Sequence, residues 1–166
     1  NGKWGCISKN GVEIIPAIYD EIGEFGWLDS ANIAKIKRDG KMGYINRAGK
    51  EIVPPKYDLT TDFMDDRGKV MADGKWGFVD QTGKEIVPLV YDEAKYYSGD
   101  YAQVKKNGKR GFVDKNGKEI GKLIYDQIYS WGFEEGITAA KRNGKWGFIN
   151  REGLEVIPPK YQETSP

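Results

Sequence analysis

Short apolar runs alternate with polar residues along the whole chain, and the alternation has a period of two. Ile33-Ala34-Lys35-Ile36-Lys37 and Tyr101-Ala102-Gln103-Val104-Lys105 are clear cases, and side chains two apart share one face of a strand. No stretch keeps apolar residues at helical spacing, so the pattern predicts strands and no helices. An Asn or Asp precedes each recurring Gly: Asn1-Gly2, Asp39-Gly40, Asp73-Gly74, Asn107-Gly108 and Asn143-Gly144. These pairs supply the positive φ angles of a type I′ turn and predict tight hairpins.

The residues after each turn repeat as well. Gly-Lys-Trp-Gly stands at Gly2-Lys3-Trp4-Gly5, and versions of it begin at Gly40, Gly74, Gly108 and Gly144. In Trp76-Gly77-Phe78-Val79 the Trp and Phe share one face and the Gly and Val the other. Both faces are apolar, which predicts a strand between two packed layers. A Gly inside such a strand points to a close approach by neighbouring backbone or an aromatic ring. A second Gly (Gly11, Gly49, Gly83, Gly117, Gly153) predicts another short hairpin loop. A Glu and a β-branched pair come next, as in Glu51-Ile52-Val53-Pro54. The Pro is expected to end that strand because it has no N–H to donate. A Tyr-Asp pair then starts a fourth short segment, as in Tyr19-Asp20-Glu21-Ile22.

The interval from motif Gly to this Tyr is 17 residues in every copy, whereas Tyr to the next motif Gly is 21, 17, 17 and 19. Length varies in loops and not in packed elements, so the first part of each copy reads as scaffold and the second as its variable segment. An aromatic at a fixed offset after the Tyr (Phe25, Phe63, Tyr97, Trp131) anchors the start of that segment. Stacking is expected to bury Trp4, Trp76 and Trp146 with Tyr19, Tyr57, Tyr91, Tyr125 and Tyr161, because one copy cannot bury its own apolar faces.

The predicted fold class is all-β: a tandem-repeat antiparallel array of five short units, with a propeller-like ring favoured over an open β-solenoid. The array reads as a single repeat domain over residues 1–166, its units starting near 2, 40, 74, 108 and 144 and the last incomplete. The first copy lacks its preceding strand, so a ring would close one strand short. The chain opens at Asn1 rather than Met, as expected of a fragment or mature form, and is silent about compartment.

Composition narrows the chemistry. The sequence has no His and one Cys, which removes the usual transition-metal sites and Cys/His nucleophile pairs. Cys6 occupies the slot held by Tyr44, Phe78, Phe112 and Phe148 and reads as a small core residue. Asp20, Asp58, Asp92 and Asp126 occur one per copy, which suggests turn roles rather than a shared cation cage. Glu13, Glu51, Glu85, Glu119 and Glu155 recur in all five copies, and a residue needed once for catalysis would not be copied five times. Their expected role is a cross-strand pair with the motif Lys, such as Lys75 with Glu85, or a turn cap. With 26 basic against 25 acidic residues, no nucleic-acid footprint appears. No apolar run approaches the length of a membrane-spanning helix. No enzyme, cofactor or metal is expected.

Residues that break the repeat are the candidates for specific contact. Met42 and Arg110 replace the motif Trp, and Gly121-Lys122 replace a β-branched residue and Pro. Trp27, Asp65, Asp66, Tyr96, Tyr129 and Phe133 lie in the variable segments and form the candidate binding set.

Gly74-Lys75-Trp76-Gly77-Phe78-Val79-Asp80, with Thr82-Gly83-Lys84-Glu85-Ile86-Val87-Pro88 and Tyr91-Asp92 after it, resembles the WG-repeat (KWG-repeat) family of bacterial proteins over nearly the whole chain. The resemblance implies an all-β binding or scaffolding module without a catalytic motif. The expected partner is a protein or peptide, with carbohydrate or cell-envelope binding through exposed Trp and Tyr as the alternative.

Overall fold

A computed structural model describes residues 2–25, 32–129 and 133–163. Every regular element among them is a β-strand. The chain divides into two compact units, Asn1–Leu89 and Val90–Pro166, where the sequence reads as one run of repeats.

The strands form five antiparallel sheets. The first sheet pairs β1 (Trp4–Ile7) with β2 (Glu13–Tyr19). The second is β3 (Glu21–Ile22), β4 (Ile33–Arg38), β5 (Lys41–Asn46) and β6 (Glu51–Tyr57), in that order. The third is β7 (Leu59–Met64), β8 (Arg67–Ala72), β9 (Lys75–Asp80) and β10 (Glu85–Tyr91). The fourth is β11 (Glu93–Ser98), β12 (Tyr101–Lys106), β13 (Lys109–Asp114) and β14 (Glu119–Tyr125). The fifth is β15 (Gln127–Ile128), β16 (Ile137–Arg142), β17 (Lys145–Asn150) and β18 (Glu155–Tyr161). A four-stranded antiparallel meander is the blade of a propeller.

Two details differ from the sequence expectation. The segment after each Tyr pairs forward, with the next copy: β3 joins β4 through Glu21↔Lys37, not β2. Each four-stranded sheet therefore draws its first strand from the tail of the preceding repeat. Strand β6 also runs through Pro54 and Pro55 to Tyr57 instead of stopping. Tyr44 pairs with Val53 and Met42 with Tyr57, so two steps on β5 span four on β6. The prolines sit in this bulge, where no ladder N–H is required.

The bulge explains the motif glycine. A Cβ on Gly5 would lie 2.5 Å from the Ile15 carbonyl oxygen. Cβ atoms on Gly43, Gly77 and Gly147 would strike the carbonyls of Val53, Val87 and Ile157. Asp39-Gly40, Asp73-Gly74, Asn107-Gly108 and Asn143-Gly144 all have positive φ at both residues, as the type I′ turn requires.

Inside each unit, the front face of one sheet meets the back face of the next. In the N-terminal unit, Ile15 and Tyr19 of the first sheet pack with Ala34, Ile36 and Ile45 of the second. Tyr44, Val53 and Tyr57 of the second pack with Phe63, Val70 and Val79 of the third. In the C-terminal unit, Phe112 and Tyr125 pack with Ile128, Phe133, Ala140 and Ile149. The four tyrosines Tyr19, Tyr57, Tyr91 and Tyr125 are buried as expected.

The motif Trp is not part of these clusters. Trp76 and Trp146 are half-buried, and Trp4 is 63% exposed. The Trp stands opposite the Tyr at the end of the last strand (Trp4↔Tyr19, Trp146↔Tyr161). It pairs with a lysine instead: Lys69 Nζ lies 4.3 Å above the Trp76 ring and Lys141 Nζ 5.6 Å above Trp146. Tyr161 is 44% exposed and also departs from the expected core.

Candidate functional site

The repeated charged residues are occupied in structural links. Lys3, Lys41 and Lys109 donate to Asp20, Asp58 and Asp126 at 2.5, 2.6 and 2.5 Å. The second oxygen of each Asp accepts the backbone N–H of Asp39, Asp73 or Asn143 at 2.8 Å. Each Asp thus ties its own motif Lys to the next type I′ turn. The lysine hydrogen bond, aided by the backbone donor, holds all three carboxyls below the usual Asp range.

The repeated Glu does not pair with the motif Lys across its hairpin. It receives the hydroxyl of the preceding Tyr: Tyr19 to Glu51 at 2.7 Å, Tyr91 to Glu119 at 3.1 Å and Tyr125 to Glu155 at 3.3 Å. Arg38 and Arg142 bind Glu51 and Glu155 at 2.6 and 2.9 Å. Burial, reinforced by the carboxylate, raises Tyr19 and Tyr125 from 10.0 to about 12. Tyr57 is the exception, because its buried hydroxyl has no partner among the described residues. The position of Arg38 and Arg142 is Ala72 in that copy and Lys106 in the next.

The candidate binding residues separate. Asp65 and Asp66 both have positive φ and form the β7–β8 turn. Arg67 donates to the Asp65 carbonyl at 2.7 Å, and Gln81 to the Asp66 carboxylate. Tyr96 is on β11 and exposed. Phe133 is buried, not presented: its ring lies 4.8 Å from Tyr101 and 4.9 Å from Phe112, and its N–H donates to the Tyr101 hydroxyl. Trp27 and the anchor Trp131 lie outside the described residues.

Tyr129 lines an open cleft of about 470 Å³ within the C-terminal unit, together with Glu93, Lys95, Gln103, Arg110, Gln127, Ile128 and Trp146. Glu93 accepts from Lys105 and Arg110, each at 2.7 Å, and both bonds hold its carboxyl below the usual range. Gln103 is only 7% exposed, and its Oε1 has no hydrogen-bond partner among the described residues. Two of these residues occupy repeat positions with altered chemistry. In the third sheet the equivalents of Gln103 and Arg110 are Lys69 and Trp76, which stack on each other. The fourth sheet places an amide and a guanidinium there instead. Arg110 is visible in the sequence as a break in the motif. Gln103 lies outside the motif and gives no such sign, although the Lys35, Lys69, Gln103, Ala139 column exposes it on alignment of the copies.

Among the described residues no group of three or more His, Cys, Asp or Glu side chains could hold a metal ion. No helix among them is long and apolar enough to cross a membrane.

Sheets in tandem, each four-stranded one completed by the tail of the preceding repeat, define an all-β array of propeller-like blades. The chain belongs to the family described as WG containing repeat, with matches at residues 4–41, 42–76, 76–109, 111–146 and 146–166. The first four of these segments run from one motif strand into the next and so cut across the sheets. No curated protein matches the sequence. Among solved structures, Kluyveromyces lactis Hsv2 is similar with a TM-score of 0.43 at 11% identity, over 77% of this chain and 45% of that one. A K. lactis Hsv2 form with loop 6CD replaced by a Gly-Ser linker gives 0.43 at 8% identity, over 74% and 46%. A further structure of K. lactis Hsv2p gives 0.42 at 11%, over 81% and 49%. The chain spans about half the length of these structures.

Proposed function

We propose that this protein is a non-catalytic binding module and that the cleft around Gln103, Arg110, Tyr129 and Trp146 takes an extended, acidic segment of a partner polypeptide. The observation carrying this reading is the buried Gln103 Oε1 without a hydrogen-bond partner among the described residues, at a repeat-breaking position on the cleft wall. An unsatisfied buried acceptor is costly, and a ligand donor that reaches it recovers that cost. A backbone N–H of an extended peptide is such a donor.

The charge on the walls favours an acidic segment. Lys95 and Arg110 are cationic, and the one lining carboxylate, Glu93, is already bound by Lys105 and Arg110. Tyr129 and Trp146 offer apolar surface for a neighbouring side chain. Glu51, Glu119 and Glu155 are engaged in links between sheets, which supports a role without catalysis. The aromatic surface beside an amide and a carboxylate also suits a sugar, the second reading.

The test is selection from a displayed random-peptide library, then affinity measurement on wild type, Arg110→Trp and Gln103→Leu. Arg110→Trp restores the motif residue and fills the cleft, so folding is retained. Enriched peptides carrying Asp or Glu beside an apolar residue, with at least tenfold weaker binding to both variants, is the expected result. Peptides that bind Arg110→Trp as well as wild type would remove the cleft from the account. Enrichment of none, with retention on a glycan panel, would replace the peptide by a sugar.

A further inference from the structure

Residues directly opposite one another on neighbouring strands carry their side chains on the same face of a sheet. In the fourth sheet Glu93 stands opposite Lys105, and Lys105 opposite Arg110. The three form one row across β11, β12 and β13. One Glu93 oxygen accepts from Lys105 and the other from Arg110, each at 2.7 Å. The row thus holds a pair of cations bridged by a single carboxylate.

The same row has other chemistry in the other four-stranded sheets. It is Glu21, Lys37 and Met42 in the second. It is Leu59, Met71 and Trp76 in the third, and Gln127, Lys141 and Trp146 in the fifth. The strand pairing is the same in each, so an ionic row is not needed to build a sheet. Paired cations occur only in the fourth, the sheet whose Gln103 and Arg110 line the cleft.

The members of the row are not equally held. The Glu93 side chain is 48% exposed, against 28% for Lys105 and 22% for Arg110. Glu93 is on β11, an edge strand whose pairing is interrupted between Ala94 and Tyr97, whereas β12 and β13 are paired on both sides. An ion pair open to water is weak, because water solvates its charges nearly as well. Glu93 is therefore the member that can swing out while both cations stay in place.

We infer that Glu93 is a built-in stand-in for the partner's acid: a carboxylate of the bound peptide displaces it and bridges Lys105 and Arg110 in its place. This rests on the reading of the cleft as a peptide site. It adds Lys105, which is outside the cleft lining, as a contact, and Glu93 as a competitor that the peptide must outbid. Bridging a pair of cations takes an acceptor oxygen toward each. Asp and Glu offer both oxygens, whereas Asn and Gln would turn an NH2 group toward one cation. Glu93 is thus a specificity-determining residue, because a neutral side chain cannot replace it.

The experiment uses displayed libraries of short peptides with a fixed central Asp or a fixed central Asn and random flanks. Each is selected on wild type, Glu93→Gln and Lys105→Met, and enrichment is counted by sequencing. The same row carries Gln127 in the fifth sheet and Met71 in the third, so both substitutions suit the fold, which circular dichroism verifies. Wild type is expected to enrich the Asp library over the Asn library. Glu93→Gln should enrich the Asp library roughly fivefold more than wild type does, and Lys105→Met roughly fivefold less. Adding Gln103→Leu to Glu93→Gln should abolish the gain. A gain that persists there would reduce it to a general charge effect and overturn the inference. Equal enrichment of the Asp library by wild type and Glu93→Gln would overturn the displacement and leave the cleft as a peptide site. Equal enrichment by wild type and Lys105→Met would remove the bridge. Enrichment of neither library by any of these proteins would remove the peptide reading itself, and the displacement with it.

Discussion

Tyr19 and Tyr57 hold equivalent places in consecutive sheets, and the same substitution should affect them in opposite directions. Both are buried, at 2% and 3% exposure. Tyr19 donates to Glu51 at 2.7 Å, and Glu51 is further bound by Arg38. The Tyr57 hydroxyl has no partner among the described residues. Removing a hydrogen bond to a charged group costs roughly 1.5–3 kcal/mol. Arg38 remains to neutralise Glu51, so Tyr19→Phe should cost about 1.5 kcal/mol, the low end of that range. A buried hydroxyl without a partner is itself unfavourable by about 1–3 kcal/mol, so Tyr57→Phe should be neutral or stabilising by up to about 1 kcal/mol. Both residues lie in the N-terminal unit, and the two variants report on one unfolding transition. Equilibrium urea unfolding with a common m-value would measure the difference, expected to be about 1.5–2.5 kcal/mol by the same accounting. Equal losses in the two variants would refute the claim that the Tyr-to-Glu bond, rather than ring packing, distinguishes these positions.

Gly77→Ala should destabilise by about 3 kcal/mol, because the methyl meets the Val87 carbonyl and not a movable side chain; a calorimetric scan close to wild type would contradict the bulge. The three Asp residues held by lysines have depressed folded pKa values. The stability they contribute is present above the ordinary Asp pKa of about 4 and lost as pH falls through the lower folded values. A urea midpoint that stays constant as pH falls below the Asp range would count against these links. Tyr19 and Tyr125 have raised values, so their contribution is complete below pH 10 and lost as pH rises through about 12. Tyrosinate absorbance should still be rising as pH approaches 12, and a rise complete near pH 10 would oppose it.

The fold was largely legible because turn chemistry and strand alternation are local. Asn-Gly and Asp-Gly announced type I′ turns, and the structure has positive φ at both residues of four of them. The Gly inside the motif strand announced a close backbone approach, and the Val53 and Val87 carbonyls provide it. The partner of each segment could not be read in the same way. Glu21-Ile22 comes directly after the Tyr19-Asp20 pair, yet it joins β4. Sequence order is the same whether a strand folds back on its own copy or forward onto the next. The Trp misled for a related reason. It shares a face with Phe78, but Trp76 is only half-buried where Phe78 is buried, and its ring packs under the Lys69 ammonium instead of in a core cluster.

The cleft was half-legible, and the reason lies in the repeat itself. A residue present in every copy serves every sheet, so Tyr19, Glu51 and Asp58 belong to stacking. Specific contact can be built only where a copy departs from the rule without losing its place in the stack. Arg110 does so: it stands where Trp76 and Trp146 stand on the motif strand, and Phe112 two residues on is still buried in the core. Reading departures only in the variable segment found Tyr129 but included Phe133, whose ring belongs to the core. The stronger signal is a change of chemistry at a fixed scaffold position. There the backbone is already placed by its neighbours, and a new side chain changes what the surface can bind without changing how the sheet folds.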